Sequence, residues 1–307
     1  MSDRNTSPGT DERLTLLRTM MLIRGVDHAW ADAYFAEEIG GIPPSLSTGQ
    51  EAVSAGACAA LEPGDVVFTT HRGQAPQVAR GLAPARILAE LYCRRTGYNK
   101  GKSYHVTDVS RGVIGMGGVV PAQVPVAGGM ALALKLRNTD RVSLALFGDG
   151  ASNEGAVHET ANLAAMWTLP LILLCENNGY CITQPVSDAV KAPSIASRAA
   201  GYGLPGVVVD GNDVNAVHAA SAEAVAPTLV EVRDRFRARL ADSESRANDV
   251  LDDILSQLDE RRVPIVKIAL DLPGREIASS EQLAAILREI EERVAAHLER
   301  GARVRLI

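Results

Sequence analysis

The apolar run Val142 to Phe147 ends in Gly148-Asp149-Gly150, and a second apolar run, Leu171 to Cys175, ends beside Asn177-Asn178. Each run has the length and composition of a buried strand, and Glu154 to Trp167 between them carries apolar residues near helical spacing. The segment predicts one strand-helix-strand unit. Right-handed crossover makes its strands parallel, and ligands of such sheets sit beyond the strands' carboxyl ends. Asp149 and Asn178 are thereby expected side by side. A carboxylate and an amide oxygen are hard donors of the kind magnesium takes, with phosphate and water completing its shell. Gly148 and Gly150 let backbone approach phosphate closely. Asp-Gly alone commonly makes only a turn. The answering asparagine pair turns the pattern toward a metal-held diphosphate.

Gly-Asp-Gly followed at this distance by Asn-Asn resembles the thiamine diphosphate motif. The filling Ala151-Ser152-Asn153-Glu154-Gly155 resembles the α subunit of 2-oxo acid dehydrogenase E1 enzymes, including the acetoin dehydrogenase branch. The likeness covers roughly residues 14–300. It includes Gly49-Gln50-Glu51-Ala52, Thr70-His71-Arg72-Gly73, the glycine- and lysine-rich Gly97 to His105, and Gly115 to Ala131. Arg262-Val263-Pro264-Ile265 and the segment after Ser279-Ser280-Glu281 resemble the family's closing helices.

The resemblance implies roles. Asp149 and Asn178 would hold Mg2+ by side chain and Tyr180 by its carbonyl. Arg72 and His71 would contact the diphosphate, a guanidinium being suited to bidentate pairing with phosphate oxygens. Outside the motif, Arg72 would read as a surface ion pair. Gly148 belongs to the same motif, and Gly150 and Ala151 would offer N–H groups at a helix N-terminus, a ready anion site. Gly118 and Val120 would meet the aminopyrimidine through backbone. Gln74, His105 and Arg239 occupy positions that the family places at the reacting centre or its entrance. His158 reads as a packing residue within reach of Glu154, and His28, His218 and His297 as structural.

Several positions depart from the family pattern. Ser45 and Gln74 stand where histidines are common, and Arg237-Ala238-Arg239-Leu240 replaces Arg-Gly-His-Ser. Pro121 replaces a glycine of the pyrimidine loop, removing a backbone donor, and the segment after Lys102 lacks two glycines. Either the pocket is retuned for another substrate or acceptor, or the chain is a degenerate cofactor-binding partner. The carboxylate that assists the pyrimidine has no counterpart here, and in the family a separate β subunit carries it. The resemblance thus implies an α2β2 assembly that decarboxylates a small 2-oxo acid and passes the acyl unit on. A lipoyl-bearing E2 would be one acceptor; acyloin formation, transketolase-like transfer and simple decarboxylation are alternatives, and a non-catalytic scaffold is an alternative of another class. A dinucleotide enzyme fails on the missing G-x-G-x-x-G after the first strand, and Gly115 to Gly118 does not supply it because no strand is expected to lead in.

The expected fold class is α/β, a doubly wound parallel sheet with helices on both faces. Residues 1–12 read as a flexible N-terminus, 13–237 as the α/β domain and 238–307 as a C-terminal helical extension, with Val250, Ile254 and Leu258 at helical spacing. Further helices are expected over Leu14 to Glu38, Gln50 to Leu61, Ala83 to Thr96, Val126 to Arg137 and Asp213 to Val225. Strands are expected at Val66 to Thr69, 206–211 and Thr228 to Val232. A net charge of −6 gives no electrostatic reason for nucleic acid or anionic membrane as a partner. No apolar stretch reaches the roughly 18 residues of a membrane helix. Cys58, Cys93, Cys175 and Cys181 lack metal-type spacing. The first three lie in apolar stretches that predict buried thiols, and a reducing, cytoplasmic setting follows.

Overall fold

The computed structural model describes residues 10–41, 43–224, 227–233, 265–268, 292 and 303–306. The chain divides into two compact units, Met1–Arg237 and Ala238–Ile307. In the first, α1 (Thr10–Phe35) and α2 (Glu51–Ala59) precede β1 (Val66–Thr69). Next come α3 (Gln74–Ala79), α4 (Pro84–Leu91), β2 (Val113–Gly115) and α5 (Gln123–Leu136). The strand-helix-strand unit is β3 (Ser143–Gly148), α6 (Gly155–Met166) and β4 (Leu171–Asn177). A small hairpin, β5 (Tyr180–Cys181) and β6 (Gln184–Pro185), leads to α7 (Val186–Ala189), and β7 (Gly206–Asp210), α8 (Val214–Glu223) and β8 (Thr228–Arg233) follow.

Six strands form one sheet in the order β2-β1-β3-β4-β8-β7, every pair parallel. Side chains alternate across it. Leu144 and Leu146 join a core with Ile23, Val53, Val78 and Val217, contributed by α1, α2, α3 and α8. Ala145 and Phe147 join a second core with Val124, Ala127, Val157 and Ala161 from α5 and α6. Both faces are therefore covered, as near-continuous apolar strands require. Residues such as Leu144, Leu174 and Phe147, at 0% exposure, each contribute about 1.5–3 kcal/mol by leaving water. Acidic Asp11 and Glu12 open α1, where they favour the helix dipole. Among the described residues, no helix is long and apolar enough to cross a membrane.

Several expectations are corrected. The helix expected over Ala83 to Thr96 ends at Leu91, because Cys93 takes φ +52° and turns the chain away. Cys93 is consequently exposed, whereas Cys58 and Cys175 are buried. Burial pushes the Cys58 thiol up to about 12. A strand does lead into Gly115 to Gly118, for β2 pairs with β1 there. Gly150 and Ala151 lie in a separate 3-10 turn, Gly150–Asn153, because the extended Glu154 (ψ 139°) interrupts the helix until Gly155. In the second unit β9 (Ile265–Ile268) pairs in parallel with β10 (Arg303–Leu306), so helix does not describe Ile265. Glu292, in the segment after Ser279, is helical, while Val250, Ile254, Leu258 and His297 lie outside the described residues.

The contact of α2 with α8 depends on Gly56. A Cβ there would stand 2.7 Å from the Val214 carbonyl oxygen and 3.0 Å from the His218 nitrogen, both backbone. Overpacking of this kind costs about 1–3 kcal/mol. Gly56→Ala should lower the unfolding free energy measured in urea by that amount, shifting the midpoint down with an unchanged circular dichroism spectrum. A wild-type midpoint would contradict the close approach.

Candidate functional site

Parallel pairing sets Phe147 opposite Cys175 and Gly148 opposite Glu176, so β3 and β4 end together. The Asp149 N–H donates to the Glu176 carbonyl at 3.3 Å and closes the junction. Beyond it opens a cavity of about 530 Å³, lined by Gly148, Asp149, Gly150 and Ala151 from the first strand end and by Glu176, Asn178 and Tyr180 from the second. Asp149 and Asn178 thus share a wall, as the sequence led one to expect. Asp149 is 2% exposed, an environment that favours a carboxylate only when cations or donors compensate it.

Short turns shape the second wall. Asn177 Oδ1 accepts from the Gly179 N–H at 3.1 Å and Asn178 Oδ1 from the Tyr180 N–H at 3.2 Å, with Gly179 at φ +84°. The β5–β6 hairpin then folds back, and Cys181 packs directly against Gly150, where any Cβ would collide with its sulfur. At the tip, Ile182 is 95% exposed with φ +55°, a strained conformation for a β-branched residue. Ile182 and Cys181 both line the cavity.

Thr70, His71 and Arg72 line the cavity from the loop after β1. One guanidinium nitrogen of Arg72, Nη1, donates to the Leu46 carbonyl, and among the described residues Arg72 makes no ion pair. The surface ion pair is therefore not what holds it. Burial, then Arg72 and then His105, push the His71 imidazole below its usual range, and burial lowers His105. Both rings are therefore mostly neutral at pH 7. His105 does not line the cavity; it stacks on Tyr104, with ring centroids 4.1 Å apart, behind Gly117. Gly117 is required there, since a Cβ would meet the His105 ring and the His71 nitrogen. Val120 lines the cavity and Gly118 is exposed with open space above it. Pro121 is buried behind a cis Val120-Pro121 bond. His71 Nδ1 and Gln50 Oε1 are buried without a hydrogen-bond partner among the described residues.

Gln74 is turned away from the cavity. Its amide donates to Asp27 Oδ1 at 2.9 Å and to the Ser45 carbonyl at 2.7 Å. Asp27, on α1 and 0% exposed, also accepts from the Ser47 N–H at 2.6 Å and the Thr48 hydroxyl at 3.2 Å. Next to it, Glu51 accepts from Arg24 at 2.7 Å and from the Gly49 N–H at 3.0 Å. These carboxylates fix the loop that brings Ser45 and Gln50 to the cavity. Arg239 lies outside the described residues. His158, for its part, bonds Tyr202 rather than Glu154.

Sequence reasoning missed Asp27, because an aspartate in an amphipathic helix reads as a solvated face. It also missed Gln50, Thr70, Glu176, Cys181 and Ile182 as cavity residues. The position of Glu176, Cys181 and Ile182 around the asparagine pair was the available signal.

Burial raises the Asp27 carboxyl above the ordinary carboxylate range, while hydrogen bonds from Gln74, Ser47 and Thr48 partly offset that. A raised folded value means that this group favours the folded state most below the unfolded aspartate value, about 3.9. That contribution is lost as pH rises through the folded value. Gln74→Ala removes one donor to the charged form, so the loss should extend to higher pH, and stability at pH 7 should fall by about 1–3 kcal/mol. Urea unfolding across a pH series measures both; profiles superimposable on wild type would contradict the contact.

Comparison with known proteins identifies the family. The profile of the family described as dehydrogenase E1 component matches residues 18–304. The alpha subunit of acetoin:2,6-dichlorophenolindophenol oxidoreductase from Bacillus subtilis (strain 168) is 35% identical over 306 residues, covering 95% of this chain and 88% of that one. The pyruvate dehydrogenase E1 component subunit alpha of Rhizobium meliloti (strain 1021) is 37% identical, covering 93% and 84%. The acetoin oxidoreductase alpha subunit of Cupriavidus necator is 36% identical, covering 90% and 85%. With a profile match across nearly its whole length and relatives above 30% identity aligned over most of both chains, this chain belongs to the dehydrogenase E1 component family.

Proposed function

We propose that this chain is the α-type subunit of a thiamine diphosphate-dependent enzyme that decarboxylates a small 2-oxo acid and transfers the resulting acyl unit. The observation that carries the reading is the convergence of Asp149, Asn178, Tyr180 and Arg72 on one cavity at the carboxyl ends of parallel strands. The donor set fits the cofactor. A buried carboxylate, an amide oxygen and a carbonyl are oxygen ligands for Mg2+, which usually keeps several phosphate and water ligands of its own. Gly148, where an added Cβ would come no nearer than 3.9 Å to the Glu176 carbonyl oxygen, leaves backbone open to close approach of phosphate. Two buried polar atoms in the wall, His71 Nδ1 and Gln50 Oε1, are left for a ligand to satisfy.

In this reading Asp149, Asn178 and the Tyr180 carbonyl hold the metal. Arg72, with Nη1 anchored on Leu46, turns its remaining donors to the diphosphate. His71 offers a neutral ring nitrogen, and Gly118 and Val120 present backbone to the aminopyrimidine. When bound, the cofactor supplies the electron sink that permits loss of CO₂ from the 2-oxo acid. Gln74 acts from behind by fixing Ser45, while His105 is assigned to the entrance.

The carboxylates lining the cavity, Asp149 and Glu176, both stand at the ends of β3 and β4. As the family resemblance implies, the carboxylate for the pyrimidine is assigned to a β subunit in an α2β2 assembly, in keeping with relatives named as alpha subunits. A lipoyl-bearing E2 is the proposed acceptor. The four free thiols fit a reducing cytoplasm.

Loss of an outer-shell partner typically costs 10- to 100-fold in metal affinity. Removing a direct ligand in Asp149→Ala should therefore weaken Mg2+-dependent thiamine diphosphate binding by at least about 100-fold by calorimetry, without unfolding the protein. Wild-type affinity in that variant would refute the site.

A further inference from the structure

The Gly150–Asn153 turn that follows Asp149 is held from outside the cavity by a residue with no part in the motif. Arg198 lies in the 3-10 helix Ala196–Tyr202. This helix is firmly seated: Ala196 and Ala199 are buried, and Gly206 of β7 has no room for a Cβ against the Ala196 carbonyl. Tyr202, at its end, bonds His158 Nδ1 of α6. From this platform the guanidinium forks. Nη1 donates to the Ser152 carbonyl at 2.9 Å and lies 3.4 Å from the Ser152 hydroxyl, while Nη2 donates to Asn153 Oδ1 at 2.8 Å. The Ser152 hydroxyl, 2% exposed, donates in turn to the Asp149 carbonyl at 2.6 Å, and the Ser152 N–H reaches the same oxygen at 3.2 Å. Asn153 extends the chain by donating to the Ala189 carbonyl of α7 at 3.3 Å.

We infer that Arg198 is a positioning residue of the cofactor site, which acts through Ser152 to hold Asp149 and the Gly150-Ala151 backbone where metal and diphosphate must meet them. The inference rests on the cofactor reading above. Its physical basis is the rigid planar fork of arginine, which can fix two acceptors at once where lysine, a point charge on a flexible stem, cannot. The Gly150–Asn153 turn is only four residues long and begins on a glycine, so its own backbone restrains it weakly. Bonds made by a charged donor are the stronger kind. Among the described residues no carboxylate pairs with Arg198, so its bonds are spent on the turn.

The test compares wild type, Arg198→Lys, Arg198→Gln and Ser152→Ala as full-length chains in the assembly in which they purify. It measures thiamine diphosphate affinity at fixed Mg2+ by calorimetry, the melting temperature without cofactor, and the cofactor KM against kcat. Loss of one hydrogen bond from a charged group corresponds to roughly a 10- to 100-fold change in an equilibrium constant. Arg198→Lys and Arg198→Gln should both weaken cofactor binding within that range, with Ser152→Ala moving the same way. KM for the cofactor should rise while kcat at saturation is kept. Wild-type affinity in Arg198→Lys would overturn the inference, because charge alone would then suffice. A lowered melting temperature with wild-type affinity in all three variants would also overturn it, leaving a structural role only. Failure of the wild type itself to bind would remove the cofactor reading, and this inference with it.

Discussion

The register of β3 against β4 is the constraint on which the site depends. Leu144 opposite Ile172, Leu146 opposite Leu174 and Phe147 opposite Cys175 carry the strands to a common end, where Gly148 faces Glu176. A slip of one residue would send Leu144 and Leu146 to the face now occupied by Ala145 and Phe147, exchanging two differently shaped cores. Each of these buried side chains is worth about 1.5–3 kcal/mol, against roughly 0.5–1.5 kcal/mol for a single hydrogen bond. Apolar packing therefore decides where Asp149 and Asn178 sit. The polar bond from the Asp149 N–H to Glu176 refines a position already chosen.

Around that fixed edge, the loops have no such packing and are held by charged or polar side chains reaching in from helices. Asp27 on α1 gathers the Ser47 N–H, the Thr48 hydroxyl and the Gln74 amide, and Gln74 passes the restraint on to Ser45. Arg72 is tied to the same loop through Leu46. On the other side Arg198 grips the turn after Asp149. Ser45 and Gln74, far apart in sequence, are neighbours in space, the Gln74 amide donating to the Ser45 backbone carbonyl at 2.7 Å.

How much of this was legible follows from what each signal measures. The strands Val66–Thr69, Ser143–Gly148, Leu171–Asn177 and Thr228–Arg233 could be read because buried parallel strands are continuous apolar runs with sharp ends. Asn212 or Asp213 could be read as the cap of α8, and it is the Asp213 carboxylate that accepts from the Asn215 and Ala216 N–H groups. The short α3 could not be read, since Pro76 and the buried polar Gln74 and Gln77 break the apolar period. Strand β2, only Val113 to Gly115, is too brief to show a period. Cys93 looked buried because its composition is that of a helix face, yet the helix stops before reaching it. In the site, motif chemistry located residues that line the cavity, whereas Asp27 and Arg198 act through tertiary contacts across more than 40 residues, which no local pattern records.

The central claim is that this chain binds a metal-held diphosphate cofactor as one part of a two-subunit enzyme. Native mass spectrometry of the chain isolated from its own host addresses it most directly, since partner subunits and bound small molecules appear in one spectrum. The account predicts a heterotetramer of two chains of this kind and two of a second kind, carrying thiamine diphosphate and magnesium. A bare homo-oligomer without cofactor would contradict it.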